Sequence, residues 1–167
     1  MNRLVINTSS SLFFTKIGLI PHLLKIFKLA ASEEIYDEIR EGEELGFRDA
    51  KILMQFFDNK KIEIFKTKKT QNFIKEFNIK KTDASVISLA QEMDCFLATE
   101  DRQIEKICLI TQTKITNTAL LIYLLWKRNE FSNEQTLLLL DLLIRNGYNK
   151  EICLKIKEKV IKEDKNV

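Results

Sequence analysis

Proline and glycine are almost missing from this chain, with one proline and four glycines in 167 residues. Tight turns draw on these two residues, so their scarcity argues against an all-β design and favours long helices joined by short turns. Histidine is scarcer still for chemistry: His22 stands alone, beside Pro21 and ahead of Leu23 and Leu24. A Ser-His-Asp or Cys-His nucleophile therefore finds no support. The three cysteines, Cys95, Cys108 and Cys153, are odd in number and far apart, with no C-x-x-C pair. That spacing suits neither a disulfide framework nor a structural zinc site, and reads as small buried hydrophobes in a reducing cytosol. No glycine-rich phosphate loop of either common pattern occurs. The apolar run near the N-terminus is too short for a secretory signal, and Ala119 to Trp126 falls far below the roughly 20 residues that span a bilayer. These absences point to a cytoplasmic protein whose available catalytic groups are carboxylates.

What is present is ordinary in bulk. Hydrophobic residues make up 45% and charged residues 31%, a balance that fits one globular unit large enough to bury a real core. The net charge of +3 allows nucleic acid as a partner without requiring it, since a solvated surface slightly rich in lysine reads the same way.

Leu4-Val5-Ile6 is a continuous apolar run, as expected of a strand covered on both faces. It ends in Asn7-Thr8-Ser9-Ser10, a cluster of helix-capping residues. Two short helices follow, broken at Gly18 and Pro21, then a short strand at Leu29-Ala30-Ala31. Ser32-Glu33-Glu34 opens a helix with its buried stripe at Ile35 and Ile39 and with Glu38 at the stripe's edge. A further helix spans Phe47 to about Asp58, and Lys61 to Phe65 alternates like a strand near a sheet edge. A helix carrying Phe73, Ile74 and Phe77 leads to the central stretch. There, Val86, Ile87, Ala90 and Met93 share a helical face, with Asp83 at the N-terminal end of that face. Cys95 to Ala98 reads as a buried strand running into Thr99-Glu100-Asp101. Ile104, Ile107 and Cys108 suggest a returning helix, and Leu109-Ile110 a last short strand. Three helices close the chain: an all-round apolar one from Thr118 to Trp126, a second from Ser132 to Asn146 with Ser132-x-x-Gln135 as capping box and Gly147 as C-cap, and a third from Asn149 with Ile152, Ile156 and Val160 on one stripe. Residues from Glu163 onward should fray.

Polar groups thus gather at the carboxyl ends of strands and the N-termini of helices, where open α/β sheets place their ligands. Oxygen ligands of this kind suit a hard cation, Mg²⁺ or Mn²⁺. Without one, clustered carboxylates repel each other and take up protons. Each residue also has a plainer reading. Glu38 would be a helix-edge acid, Asp83 a first-turn residue favoured by the helix dipole, Asp101 a helix opener and Asn7 a cap.

In order, these segments resemble the PIN-domain family, ribonucleases typified by the toxins of prokaryotic Vap-type toxin–antitoxin pairs. The family's opening strand ending in Asp-Thr/Ser-Ser is matched by Leu4-Val5-Ile6-Asn7-Thr8-Ser9. Its V-x-x-E-[IL] helix is matched by Ile35-Tyr36-Asp37-Glu38-Ile39, its D-A-x-x-I-x-x-A helix by Asp83 through Ala90, and its T-x-D by Thr99-Glu100-Asp101. The likeness covers residues 3 to about 110. It extends to a subgroup with a helical C-terminal extension, including a glycine followed by an aromatic, here Gly147-Tyr148. The departure is Asn7, where the family has its first acid; an amide oxygen can ligate but brings no charge, and the subgroup often carries Asn there.

The resemblance implies an α/β fold. It is a three-layer sandwich with a central, mostly parallel sheet of four to five strands, helices on both faces, and additional C-terminal helices. It divides the chain into a nuclease-like domain at 1–112 and a helical extension at 113–167 packed on the same core. It implies a divalent-metal-dependent ribonuclease, an endonuclease and a toxin component. Glu38, Asp83 and Asp101 would be catalytic, the same three with Asn7 would hold Mg²⁺ or Mn²⁺, and water would attack the phosphodiester without a protein nucleophile. Lys80, Lys81 and Arg102 flank this site and read either as contacts to RNA phosphates or as solvated charges. Glu100 is expected to be exposed, or an outer ligand. An antitoxin and a second copy of the chain are the implied partners, the leucine-rich tail serving as core or subunit interface. The competing reading is a catalytically weak or inactive module of the same fold that binds RNA or a protein.

Overall fold

The run Leu4-Val5-Ile6 becomes the centre of a parallel sheet. In the computed structural model, which describes residues 2–164, β1 (Asn2–Ile6) lies between β2 (Phe27–Ser32) and β4 (Phe96–Ala98). The two edges are β3 (Ile62–Phe65) and β5 (Ile115–Thr116), giving the order β3-β2-β1-β4-β5 with every pairing parallel. Leu4, Val5, Ile6, Leu29, Ala30, Ala31, Leu97 and Ala98 are wholly inaccessible to solvent. A strand covered on both faces cannot alternate polar and apolar residues, and none of these inner segments does.

Parallel strands need crossovers, and the helices supply them. α1 (Thr8–Lys16) and α2 (Ile20–Ile26) join β1 to β2; α3 (Glu33–Glu44) and α4 (Arg48–Asp58) join β2 to β3. α5 (Thr70–Phe77) and α6 (Lys81–Glu92) carry the chain back across the sheet to β4, and α7 (Arg102–Ile110) leads to β5. The winding runs outward from β1 to β3 and then jumps to the other side of β1. With right-handed crossovers, that reversal places the two sets of helices on opposite faces. It also opens a crevice between the carboxyl ends of β1 and β4.

α8 (Thr118–Lys127), α9 (Asn133–Arg145) and α10 (Lys150–Asp164) complete the chain. Their buried residues, among them Ile122, Leu125, Leu140, Leu143, Cys153 and Val160, belong to the same continuous core as the sheet. The Ser132–Gln135 capping box forms as the sequence indicates. Gly147 takes a φ of +88° past the end of α9, a left-handed turn that costs glycine little. Gly42 has another use: a Cβ there would sit 3.2 Å from the Cβ of Ala50, so its bareness lets α3 and α4 approach closely. All three cysteines are free and buried. His22 packs on Phe131, ring centroids 4.5 Å apart, beside Glu130.

Two expectations fail. Leu109 and Ile110 are not a strand; they end α7 with 72% and 70% of their surface exposed. A crossover helix must recross the sheet before the chain can pair again, and α7 uses these residues for length. The last strand falls instead at Ile115–Thr116. Glu163 does not fray: it lies within α10 and accepts hydrogen bonds from Tyr123 Oη at 2.6 Å and Lys127 Nζ at 2.9 Å. Residues 165–167, also expected to fray, lie outside the described residues. Among the described residues no helix is long and apolar enough to cross a membrane.

The contrast between β4 and the end of α7 is measurable. Leu97→Ala should cost about 2–5 kcal/mol in urea denaturation, while Leu109→Ala should stay within about 0.5 kcal/mol of the parent. A large loss at Leu109 would contradict its placement on an exposed helix end.

Candidate functional site

The crevice between β1 and β4 holds the polar residues. Asn7 leaves the end of β1, buried to within 5% of full enclosure. Its Oδ1 caps α1, accepting from Ser10 N at 2.9 Å, Ser10 Oγ at 2.8 Å and Ser9 Oγ at 3.1 Å. Its Nδ2 donates to Thr99 Oγ1 at 3.0 Å, joining the ends of two strands whose residues lie 92 positions apart. The same Thr99 oxygen accepts from Asp101 N at 3.2 Å. Asp101 in turn caps α7, with Oδ1 accepting from Gln103 N at 2.7 Å and Ile104 N at 3.1 Å.

The other two acids arrive on helices. Asp83 lies in the first turn of α6, where the helix dipole favours an anion. That turn is pinned to the start of α3 by Ser85 Oγ and Ser32 Oγ, 2.7 Å apart and both fully buried. Ser32 also caps α3, so the pair fixes α6 against the helix that bears Glu38. The Glu38 carboxylate accepts the Thr8 hydroxyl from the first residue of α1.

Asn7, Glu38, Asp83 and Asp101 therefore line one cleft of about 280 Å³, together with Thr8, Ser9 and the apolar Leu12, Ile35 and Ile104. Asp83 feels its neighbours. Burial first, then the Asp101 carboxylate, raise its pKa above the ordinary aspartate value; Lys80 opposes this and Glu38 adds to it. Asp83 has no hydrogen-bond donor among the described residues, so only Lys80 and the start of α6 ease its charge. Among the described residues no group of three or more His, Cys, Asp and Glu side chains stands close enough together to hold a metal ion as placed. The acids face the same space while keeping apart, as like charges do. Their donors are all hard oxygens, which fits a hard divalent cation.

The basic residues divide. Lys80 precedes α6 and lies close enough to Asp83 to act on its charge. Lys81 pairs with Glu34 at 3.1 Å. Arg102 lines a neighbouring hollow with Glu105, Tyr148 and Asn149 rather than the acidic cleft.

Glu100 is neither exposed nor in that cleft. It is half-buried on the other side of the β4 end, where its carboxylate accepts both the backbone N–H of Thr118, at 2.8 Å, and the Thr118 hydroxyl. Burial raises its pKa, and the Thr118 donors work against that rise. Successive side chains leaving a strand point to opposite sides, so Glu100 cannot face the cleft if Asp101 does. Thr8, Thr99 and the Ser32–Ser85 pair were not singled out by sequence reasoning. Thr99 was visible in the T-x-D motif, and Ser32 and Thr8 as capping residues, whereas Ser85 carried no signal.

The parallel sheet, its switch point and the cleft of carboxylates define an open α/β class with an acidic crevice. A family model described as PIN domain matches residues 3–162, and the chain belongs to the PIN-domain family. Proteins of this family are generally nucleases, use divalent metals and often bind RNA. The crystal structure of PAE2754 from Pyrobaculum aerophilum is similar in fold, with a TM-score of 0.54 and 16% identity over 75% of this chain and 98% of that one. No curated protein matches the chain.

A raised pKa means that the folded state holds the Asp83 proton more tightly than the unfolded state, so its ionisation costs stability as pH rises through that range. Asp83→Asn should therefore raise the melting temperature at neutral pH, and the gain should vanish near about pH 3, where the aspartate is protonated in both states. Thermal melts by circular dichroism at both pH values check this; a lower melting temperature at neutral pH would refute it.

Proposed function

We propose that the chain is a PIN-type, divalent-metal-dependent endoribonuclease. The observation that carries this reading is the convergence of Asn7, Glu38, Asp83 and Asp101 on one cleft at the sheet's switch point, with Asp83 left short of compensating charge. Asp83 is the central ligand, free of competing hydrogen bonds. Glu38 and Asp101 each commit one oxygen to the fold, Oε2 to Thr8 and Oδ1 to the start of α7, and offer the other to the cation. Asn7 contributes as a neutral member. When bound, Mg²⁺ or Mn²⁺ supplies an activated water nucleophile and stabilises charge on the phosphodiester oxygens. Lys80, at the rim, draws the RNA backbone towards the acids, with Lys81 and Arg102 further out. The 1–112 segment carries this nuclease unit, and 113–167, which contributes β5 and α8–α10, extends it. We place the protein in the cytoplasm as the toxin of a toxin–antitoxin pair. It acts as a homodimer: Leu138 on α9 and Leu154 on α10 are 61% and 43% exposed and offer an apolar face to a second copy.

One observation favours a second reading, a module of the same fold that binds RNA or protein with little or no cleavage. The Asn7 amide oxygen already accepts three hydrogen bonds, so it has little capacity left for a cation.

Calorimetric titration with Mn²⁺ and Mg²⁺ separates the two. Under the nuclease reading, the parent binds saturably, Asp83→Asn does not, and RNA is cut only by the parent. Absence of binding up to several millimolar would move the assignment to the binding module. Asn7→Asp restores the family's charge and should tighten Mn²⁺ binding by about tenfold, about 1.4 kcal/mol.

A further inference from the structure

Tyr148 touches both flanks of the cleft from outside it. The residue follows Gly147 in the α9–α10 turn and is 6% exposed. Its ring packs edge-on against Phe13 of α1, centroids 5.2 Å apart. Its buried hydroxyl faces the Glu100 carboxylate without reaching a well-formed hydrogen bond. Glu100 is also held by the first residue of α8, whose N–H and hydroxyl both donate to Oε1. Thr118 itself is fully buried. An anion at a helix N-terminus gains both hydrogen bonds and the dipole, so this attachment is strong and directional.

Glu100 and Asp101 are consecutive and face opposite ways, so whatever fixes one backbone position fixes the other. Thr99 anchors the same corner to the strands on either side, with Thr99 N donating to Thr116 O of β5 at 3.1 Å and Thr99 Oγ1 accepting from Asn7 at the end of β1. The corner is thus gripped on one side by the sheet and on the other by the C-terminal helices.

We propose that Glu100 is a positioning residue: through Thr118 and Tyr148 it makes α8 and the α9–α10 turn part of the apparatus that sets Asp101 in the acidic cleft. This rests on reading that cleft as a cation site. Groups that orient metal ligands typically matter by about 10–100-fold in metal affinity, without touching the metal themselves. Glu100 is then no ligand, inner or outer.

The test uses the full chain with Thr118→Val, which removes the hydroxyl donor at a distance from the cleft, and Glu100→Ala, which removes the acceptor. Two quantities are read below the melting temperature: Mn²⁺ affinity by calorimetry, and amide exchange at Gln103 and Ile104, the two N–H groups that Asp101 caps. The proposal expects both variants to weaken Mn²⁺ binding by about tenfold and to speed exchange at those amides. Exchange unchanged in either variant overturns the proposal. So does a Glu100→Ala variant that loses Mn²⁺ as fully as Asp83→Asn, because that marks Glu100 as a ligand. If Thr118→Val does not fold, Glu100→Ala decides by the same criterion. If the parent itself binds no Mn²⁺, the cation reading fails, and the exchange rates still decide whether the corner is held from the C-terminal helices.

Discussion

Acceptor oxygens, most of them carboxylate, held at helix N-termini are the constraint around which this molecule is arranged. Asn7 caps α1, Asp83 sits in the first turn of α6, Asp101 caps α7, and Glu38 leans on the first hydroxyl of α1. A helix start is worth about 0.3–1 kcal/mol to an anion near it. The burial of Asp83 and the repulsion of its acidic neighbours oppose that gain, and its pKa rises. A fold that keeps this unfavourable feature does so where a cation or a proton can relieve it.

Most of the polar groups in the cleft serve twice. Asn7 is the cap it resembles in sequence and also the link between β1 and β4 through Thr99. Asp101 opens α7 and also faces the acids. The plain and the chemical readings of these residues are not rivals, because capping uses one oxygen of a carboxylate and leaves the other. For an amide the arithmetic is harsher. Asn7 has a single acceptor oxygen, already engaged, and a nitrogen that an aspartate could not offer to Thr99 as a donor. Its identity follows the hydrogen bonds of the strand ends as closely as it follows the demands of a ligand.

The fold was legible wherever burial imposes a period. Ile35 and Ile39 mark α3, Val86, Ile87 and Ala90 mark α6, and the unbroken Leu4-Val5-Ile6 marks a central parallel strand. The ordered acids were legible for the same reason: each follows a strand or heads a helix that the pattern reveals. Leu109 and Ile110 misled because two apolar residues after a helix carry no information on whether the chain has yet recrossed the sheet. Glu100 misled because an acid among acids looks solvated, and its partner lies on a helix 18 residues further on. The Ser32–Ser85 contact was invisible because two small hydroxyls 53 positions apart acquire meaning only when α6 is laid against α3.

The central position of β1 has a consequence for when the site comes into being. β1 is made first, yet its neighbour β4 lies more than 90 residues later, and Asp101 later still. Contacts of such sequence separation close late, because the loop between them must be ordered first. A chain still emerging from the ribosome that carries Asn7 and Glu38 has no cleft, and the Thr118 and Tyr148 positions that face Glu100 come later still. Synthesis itself thus separates the making of β1 from the appearance of the acidic pocket, which cannot form before Asp101 has left the ribosome.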